Sequence, residues 1–140
     1  MSRANHSGYT LIEVMIVVVI IAILAAIAMP SYRSHICKVE RNQAKSDLTL
    51  YAQALERFYT TNNFSYVGAS NVFPAHSPSD GAAANKRFTL VTSASNATSF
   101  TLTATKTAGA CSDAWVYTLT SAGTKTYKRG TATAITNWED

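Results

Sequence analysis

The hydrophobic pattern divides the chain into three regimes. From Val14 to Met29 no side chain is charged or polar, and the 21 residues from Tyr9 to Met29 carry Glu13 as their sole ion. A stretch that is apolar on every face reads as a helix in nonpolar surroundings. At 1.5 Å per residue it is about 31 Å long, close to the thickness of a bilayer's hydrocarbon core. Beyond Pro30 the pattern becomes a stripe: Ile36, Val39, Ala44, Leu48, Tyr51, Leu55 and Phe58 recur mostly three or four apart, with Lys38, Glu40, Arg41, Lys45, Asp47 and Arg57 on other faces. That spacing predicts an amphipathic continuation of the same helix, one face on a core and the rest in water. Pro30 stands where the halves meet. It lacks an N–H and crowds the carbonyl four residues back, so a kink or local loosening is expected between Ala26 and Pro30.

After Tyr59 both periods fade. "TTNNFSYVGASNVFPAHSPSDGAAANK", Thr60 to Lys86, reads as an irregular connection pinned to the body by Phe64, Tyr66 and Phe73. Alternation of period two then sets in at "RFTLVTS" from Arg87, "SFTLTAT" from Ser99, "AWVYTLT" from Ala114 and "TKTYKR" from Thr124, separated by turn-length punctuation. The expected architecture is α+β: a long N-terminal helix packed on a three- to four-stranded antiparallel sheet, one sheet face on the helix stripe and the other in water. Its parts are a membrane-embedded half-helix (9–30), an amphipathic half (31–60), a connecting αβ loop (61–86), and the sheet with the C-terminal segment (87–140).

Composition sharpens this picture. The chain has 140 residues, one domain's worth, and its charged fraction of 14% lies well below the roughly 25% of an average soluble domain. A secretory signal peptide has an apolar core of only about 7–15 residues and no need of a helical pattern beyond it. Glu13 is the anomaly, because a carboxylate in lipid is costly unless it is protonated, interfacial or paired. Two accounts fit. The helix N-terminus favours an anion through its dipole, or a neighbouring copy supplies an α-amino group freed by cleavage just before Tyr9.

"GYTLIEVMIVVVIIAILAAIAMPSY", Gly8 to Tyr32, closely resembles the N-terminus of type IV prepilins. In that family the leader ends in glycine, the mature chain usually begins Phe-Thr-Leu-Ile-Glu, and the anchor is followed by Pro-Ser-Tyr. "AKSDLTLYAQALERFYTTNNFSY", Ala44 to Tyr66, further resembles the small minor pilins that prime or decorate type IVa pili. The resemblance implies the pilin fold and a leader, residues 1–8, that a membrane-bound prepilin peptidase cuts after Gly8 before N-methylating Tyr9. It implies that Glu13 pairs with a neighbour's N-terminus on assembly and that Pro30 marks a segment able to unwind. It also implies storage in the bacterial inner membrane, single-pass with the head periplasmic, then transfer by an inner-membrane assembly platform into an extracellular filament of pilin subunits. Adhesion, twitching motility and DNA uptake all use such fibres. This chain departs from the pattern in having Tyr9 for phenylalanine and no glycine from Val14 to Met29.

The remaining chemistry is sparse. Cys37 and Cys111 are the two cysteines; an internal disulfide and two separate thiols both fit, and related pilins often carry a disulfide in the C-terminal region. The histidines His6, His35 and His76 are isolated, and no metal-ligand spacing, phosphate loop or nucleophile elbow occurs. A structural non-enzyme with no metal and no cofactor is expected. The net charge is +4, and loss of Arg3 with the leader leaves +3. In "KTYKRG", Lys125, Lys128 and Arg129 surround Tyr127. Cations around an aromatic suit DNA, which some minor pilins bind during uptake; the same alternation also guards an exposed sheet edge. A pseudopilin of a type II secretion system shares the N-terminal features, though Asp80, Asp113, Glu139 and Asp140 lack the clustering of a calcium site.

Overall fold

A computed structural model describes residues 8–93 and 96–138; leader residues 1–7, Glu139 and Asp140 lie outside the described residues. One helix, α1 (Leu11–Thr61), runs for 51 residues, about 76 Å. It carries Pro30 internally without interruption. Every residue from Leu11 to His35 is exposed, while Ala44, Asp47, Leu48, Tyr51, Ala54 and Leu55 are buried. The helix therefore meets the head only along its second half.

The head is an antiparallel meander in which each strand pairs with its sequence neighbour: β1 (His76–Ser77), β2 (Phe88–Ser93), β3 (Thr101–Lys106), β4 (Trp115–Thr120), β5 (Lys125–Arg129) and β6 (Ile135–Thr136). The α+β architecture is as expected, with six strands rather than three or four. The four long strands lie where period-two alternation placed them. The two added strands are two residues each, too short to show alternation, and they cap the sheet's two edges.

Register explains the core. Leu90 faces Ala104, Leu102 faces Leu119, Ala104 faces Tyr117 and Tyr117 faces Tyr127. All turn one sheet face to α1, where Phe88, Leu90, Phe100, Leu102, Trp115 and Tyr117 join Ala44, Leu48, Tyr51 and Leu55 in one cluster. The opposite face is built largely of threonine, including Thr89, Thr103, Thr105, Thr118 and Thr120.

The helix stripe needs correction at two positions. Val39 is exposed, and Asp47, expected on a solvent face, is completely buried. Its Oδ1 accepts from Ser79 Oγ at 2.8 Å and from Gln43 Nε2 at 3.3 Å, tying the connection to α1. The connection is more ordered than expected, with 3-10 turns at Ala69–Asn71 and Ala83–Asn85. Tyr66 is buried and Phe73 stacks on Tyr51 at 5.2 Å between centroids, but Phe64 is 66% exposed and only edges against Tyr59. Tyr66 Oη donates to Glu56 Oε1 at 2.8 Å. Burial, with Glu56's carboxylate adding to it, pushes the Tyr66 phenol up to about 12.

Candidate assembly segment and basic–aromatic seam

At the N-terminal end of α1, Glu13 has a partner within its own chain. Thr10 is the N-cap and Glu13 the third helical residue, and they form a reciprocal capping box. The Glu13 N–H donates to Thr10 Oγ1 at 3.3 Å, while the Glu13 carboxylate accepts from the Thr10 N–H at 3.4 Å. Two otherwise orphaned backbone donors are satisfied, and the anion sits at the positive end of the helix dipole. Threonine followed three residues later by glutamate is itself a sequence signal for this cap. Gly8 is exposed with open space around its Cα, and Tyr9 is 86% exposed. From here to Met29 the helix presents an uncovered apolar surface. At Pro30 the missing N–H leaves the Ala26 carbonyl without its helical donor.

The foot of the head is fastened by specific bonds rather than by apolar burial. Cys37 and Cys111 are joined in a disulfide, linking α1 to the loop between β3 and β4. One turn further on, Glu40 accepts from the Ala110 N–H at 2.9 Å and lies 3.5 Å from Arg87 Nε. Gly109 makes this possible: its φ is +107°, and a Cβ there would lie 2.6 Å from Glu40 Cδ. Above it, the Arg41 guanidinium lies 4.2 Å over the Trp115 ring.

The four residues of the basic run on β5 divide between faces. Tyr127 pairs with Tyr117 and Arg129 with Trp115, so Lys125, Tyr127 and Arg129 share the helix side of the sheet, whereas Lys128 pairs with Val116 on the other side. Tyr127 stacks on Trp115 at 5.9 Å. Arg129 lies 5.4 Å over the same indole and pairs with Asp113 at 2.6 Å. Lys125 lies 5.1 Å over Trp138, whose carbonyl accepts from Lys45 Nζ at 2.8 Å. The result is a seam between α1 and β5 with an aromatic floor and cations on both walls. Trp115, Trp138, Arg41 and Lys45 belong to it, and none was legible as a site residue because their partners come from other elements.

Two family models together match residues 3–120. One, described as "Type IV minor pilin ComP, DNA uptake sequence receptor", matches residues 30–120. The chain belongs to this type IV minor pilin family. The other, described as "Prokaryotic N-terminal methylation motif", matches residues 3–29 of the pilin. Among curated proteins the pilin is similar to type II secretion system core protein G of Pseudomonas aeruginosa, 44% identical over 66 residues, which is 47% of this chain and 46% of that one. It is similar to fimbrial protein EcpB of Eikenella corrodens, 46% identical over 52 residues, 37% of this chain and 33% of the other. It is also similar to type IV major fimbrial protein FimA of Dichelobacter nodosus, 47% identical over 54 residues, 39% and 35% of the two chains. The pilin thus spans less than half the length of each of these relatives. No solved structure matches it significantly.

Proposed function

We propose that this pilin is a minor structural subunit of a type IV pilus, held in the inner membrane by residues 9–30 with its head in the periplasm. Prepilin peptidase removes residues 1–8 and methylates Tyr9, and an inner-membrane platform then transfers the subunit to an extracellular filament. The observation that carries this reading is the uncovered apolar half-helix with one carboxylate at its start. Such a surface is stable only in lipid or against copies of itself, so one segment serves as anchor and as filament core. In a bundle of such helices a neighbour's methylated amine at Tyr9 is the cation within reach of Glu13, and a misregistered subunit leaves the carboxylate buried and unpaired. The pairing specifies register more than it adds stability.

The test combines mass measurement with one substitution. Intact mass with N-terminal fragmentation of protein from sheared filaments should give a chain beginning at methylated Tyr9. Glu13→Leu should remain in membranes but be lost from filaments. An intact Met1 start, or normal incorporation of Glu13→Leu, would overturn the proposal.

The matched family description and the basic β5 edge support a second element, DNA recognition by the head. Lys125 and Lys128 straddle opposite faces of β5 with Arg129 beside them, an arrangement that suits phosphates along a duplex. Three phosphate contacts predict that log K falls with log salt at a slope of about −2.7. Labelled duplex titrated at several salt concentrations reads that slope; no binding, or a flat salt response, refutes it. Type II secretion pseudopilins resemble the chain over a similar share of its length, and filament type is the outcome that separates the two.

A further inference from the structure

A cleft of about 870 Å³ opens at the foot of the head, between the first turns of α1 beyond Pro30 and the β5–β6 side of the sheet. Arg33, Arg41 and Arg129 line it, with Trp115 and Ile135 among its apolar surfaces. Among the described residues Asp113 is the one carboxylate in the lining, and it is paired with Arg129. Along α1 no acidic residue occurs between Glu13 and Glu40, and Glu40 is occupied by the Ala110 N–H and Arg87. The cleft is therefore a concentration of guanidinium groups with a net positive charge.

Its height on the helix identifies what it faces. The apolar run ends at Met29, and four residues of helix raise Arg33 only about 6 Å above it, within the polar layer of roughly 5–8 Å that covers the hydrocarbon core on each side. Tyr32, 67% exposed on the same turn, is an interfacial aromatic at that level. Guanidinium forks match phosphate oxygens two at a time, and Trp115 with Ile135 offers apolar surface to a glycerol backbone.

We propose that in the membrane-stored subunit this cleft holds the phosphate headgroup of an anionic phospholipid. The lipid steadies the head against the bilayer and must be released when the subunit leaves for a filament. The proposal rests on the reading of residues 9–30 as a membrane anchor and not on DNA recognition; Tyr127 and Arg129 are common to the cleft and the basic run on β5, whereas Lys125 and Lys128 lie outside the cleft lining and separate the two readings.

The test uses the full chain in nanodiscs of phosphatidylcholine, with and without phosphatidylglycerol, read by native mass spectrometry for lipid retained on the released protein. Failure to enter nanodiscs would count against the anchor itself; entry without selective retention would count against the headgroup site alone. The wild-type chain should retain one phosphatidylglycerol in preference to phosphatidylcholine. Arg33→Gln, at an exposed position where folding is not at issue, should weaken retention about five-fold, the contribution of one cation near an anionic surface. Arg33→Gln with Arg129→Gln should weaken it about 25-fold, while the control pair Lys125→Gln with Lys128→Gln should leave it within two-fold. Equal loss in the control pair would reduce the effect to diffuse charge and overturn the site. Displacement of the lipid by inorganic phosphate at comparable concentration would make it a free-anion site, and displacement by a short DNA duplex, blocked by the same arginine changes, would reassign it to nucleic acid.

Discussion

Gly109→Ala tests whether the foot of the head is held by a latch. The residue has φ of +107°, outside the range that an L side chain adopts comfortably, and its missing Cβ is where Glu40's carboxylate lies. An alanine there is strained at that φ and also pushes Glu40 away. The first costs about 1–2 kcal/mol. The second forfeits a hydrogen bond to a charged acceptor, with the Ala110 N–H half-buried and left unpaired, about 1.5–3 kcal/mol. The expected loss is therefore about 3 kcal/mol, read by urea unfolding of the full chain in detergent through Trp115 and Trp138 fluorescence. A double-mutant cycle separates the parts. In a Glu40→Ala background the carboxylate is already gone, so Gly109→Ala should then cost only the backbone share, about 1–2 kcal/mol. An equal cost in both backgrounds would refute the latch, and a cost below about 0.5 kcal/mol in the wild-type background would refute the whole argument.

Two further outcomes follow from the same geometry. Cys37 and Cys111 are 74 residues apart, and the loop-entropy relation gives about 4.5 kcal/mol for a closure of that size; paired Cys37→Ser and Cys111→Ser substitution should lower urea stability by up to that amount, and thiol titration of the native chain should find no free cysteine. The raised phenol of Tyr66 contributes stability that is fully present below its unfolded value of 10.0 and is lost as pH rises toward about 12; unfolding free energies measured across that window should fall more steeply for wild type than for Tyr66→Phe, and parallel curves would exclude Tyr66 as the source.

The sequence was most legible where burial is periodic. Phe100, Leu102 and Ala104 alternate with threonines because one sheet face meets α1 and the other meets water, and the four long strands are placed by that pattern alone. On α1 the stripe from Ala44 to Leu55 was equally plain. Lower down its phase was misjudged at Val39, which looks like a core residue and is exposed, while Cys37, Glu40 and Arg41 are partly buried. None is an ordinary core residue, and each faces inward because of a partner far along the chain: Cys111, Ala110 and Trp115. Asp47 is buried for the same reason, with Ser79 supplied by the connection. The basic cluster on β5 was visible as composition, but its division between two faces depends on the register with β4.

This difference between the two ends of the amphipathic half has a physical logic. A helix leaving a bilayer must end its apolar surface sharply, or the membrane will draw in whatever follows. Val39 is isolated on the exposed side, and the face that carries Cys37, Glu40 and Arg41 is secured by a covalent bond, a charged hydrogen bond and a cation over an indole. None of these depends on a continuous greasy stripe reaching down to Pro30. The head is thereby fixed to α1 within about three turns of the apolar run without extending that run. Leucines in place of the foot's bonds would lengthen the apolar segment by about three turns and blur the boundary between the apolar half of the helix and the half that carries the head. Specific, long-range partners at Cys37, Glu40 and Arg41 let this fold hold its head without a continuous apolar stripe running down to Pro30.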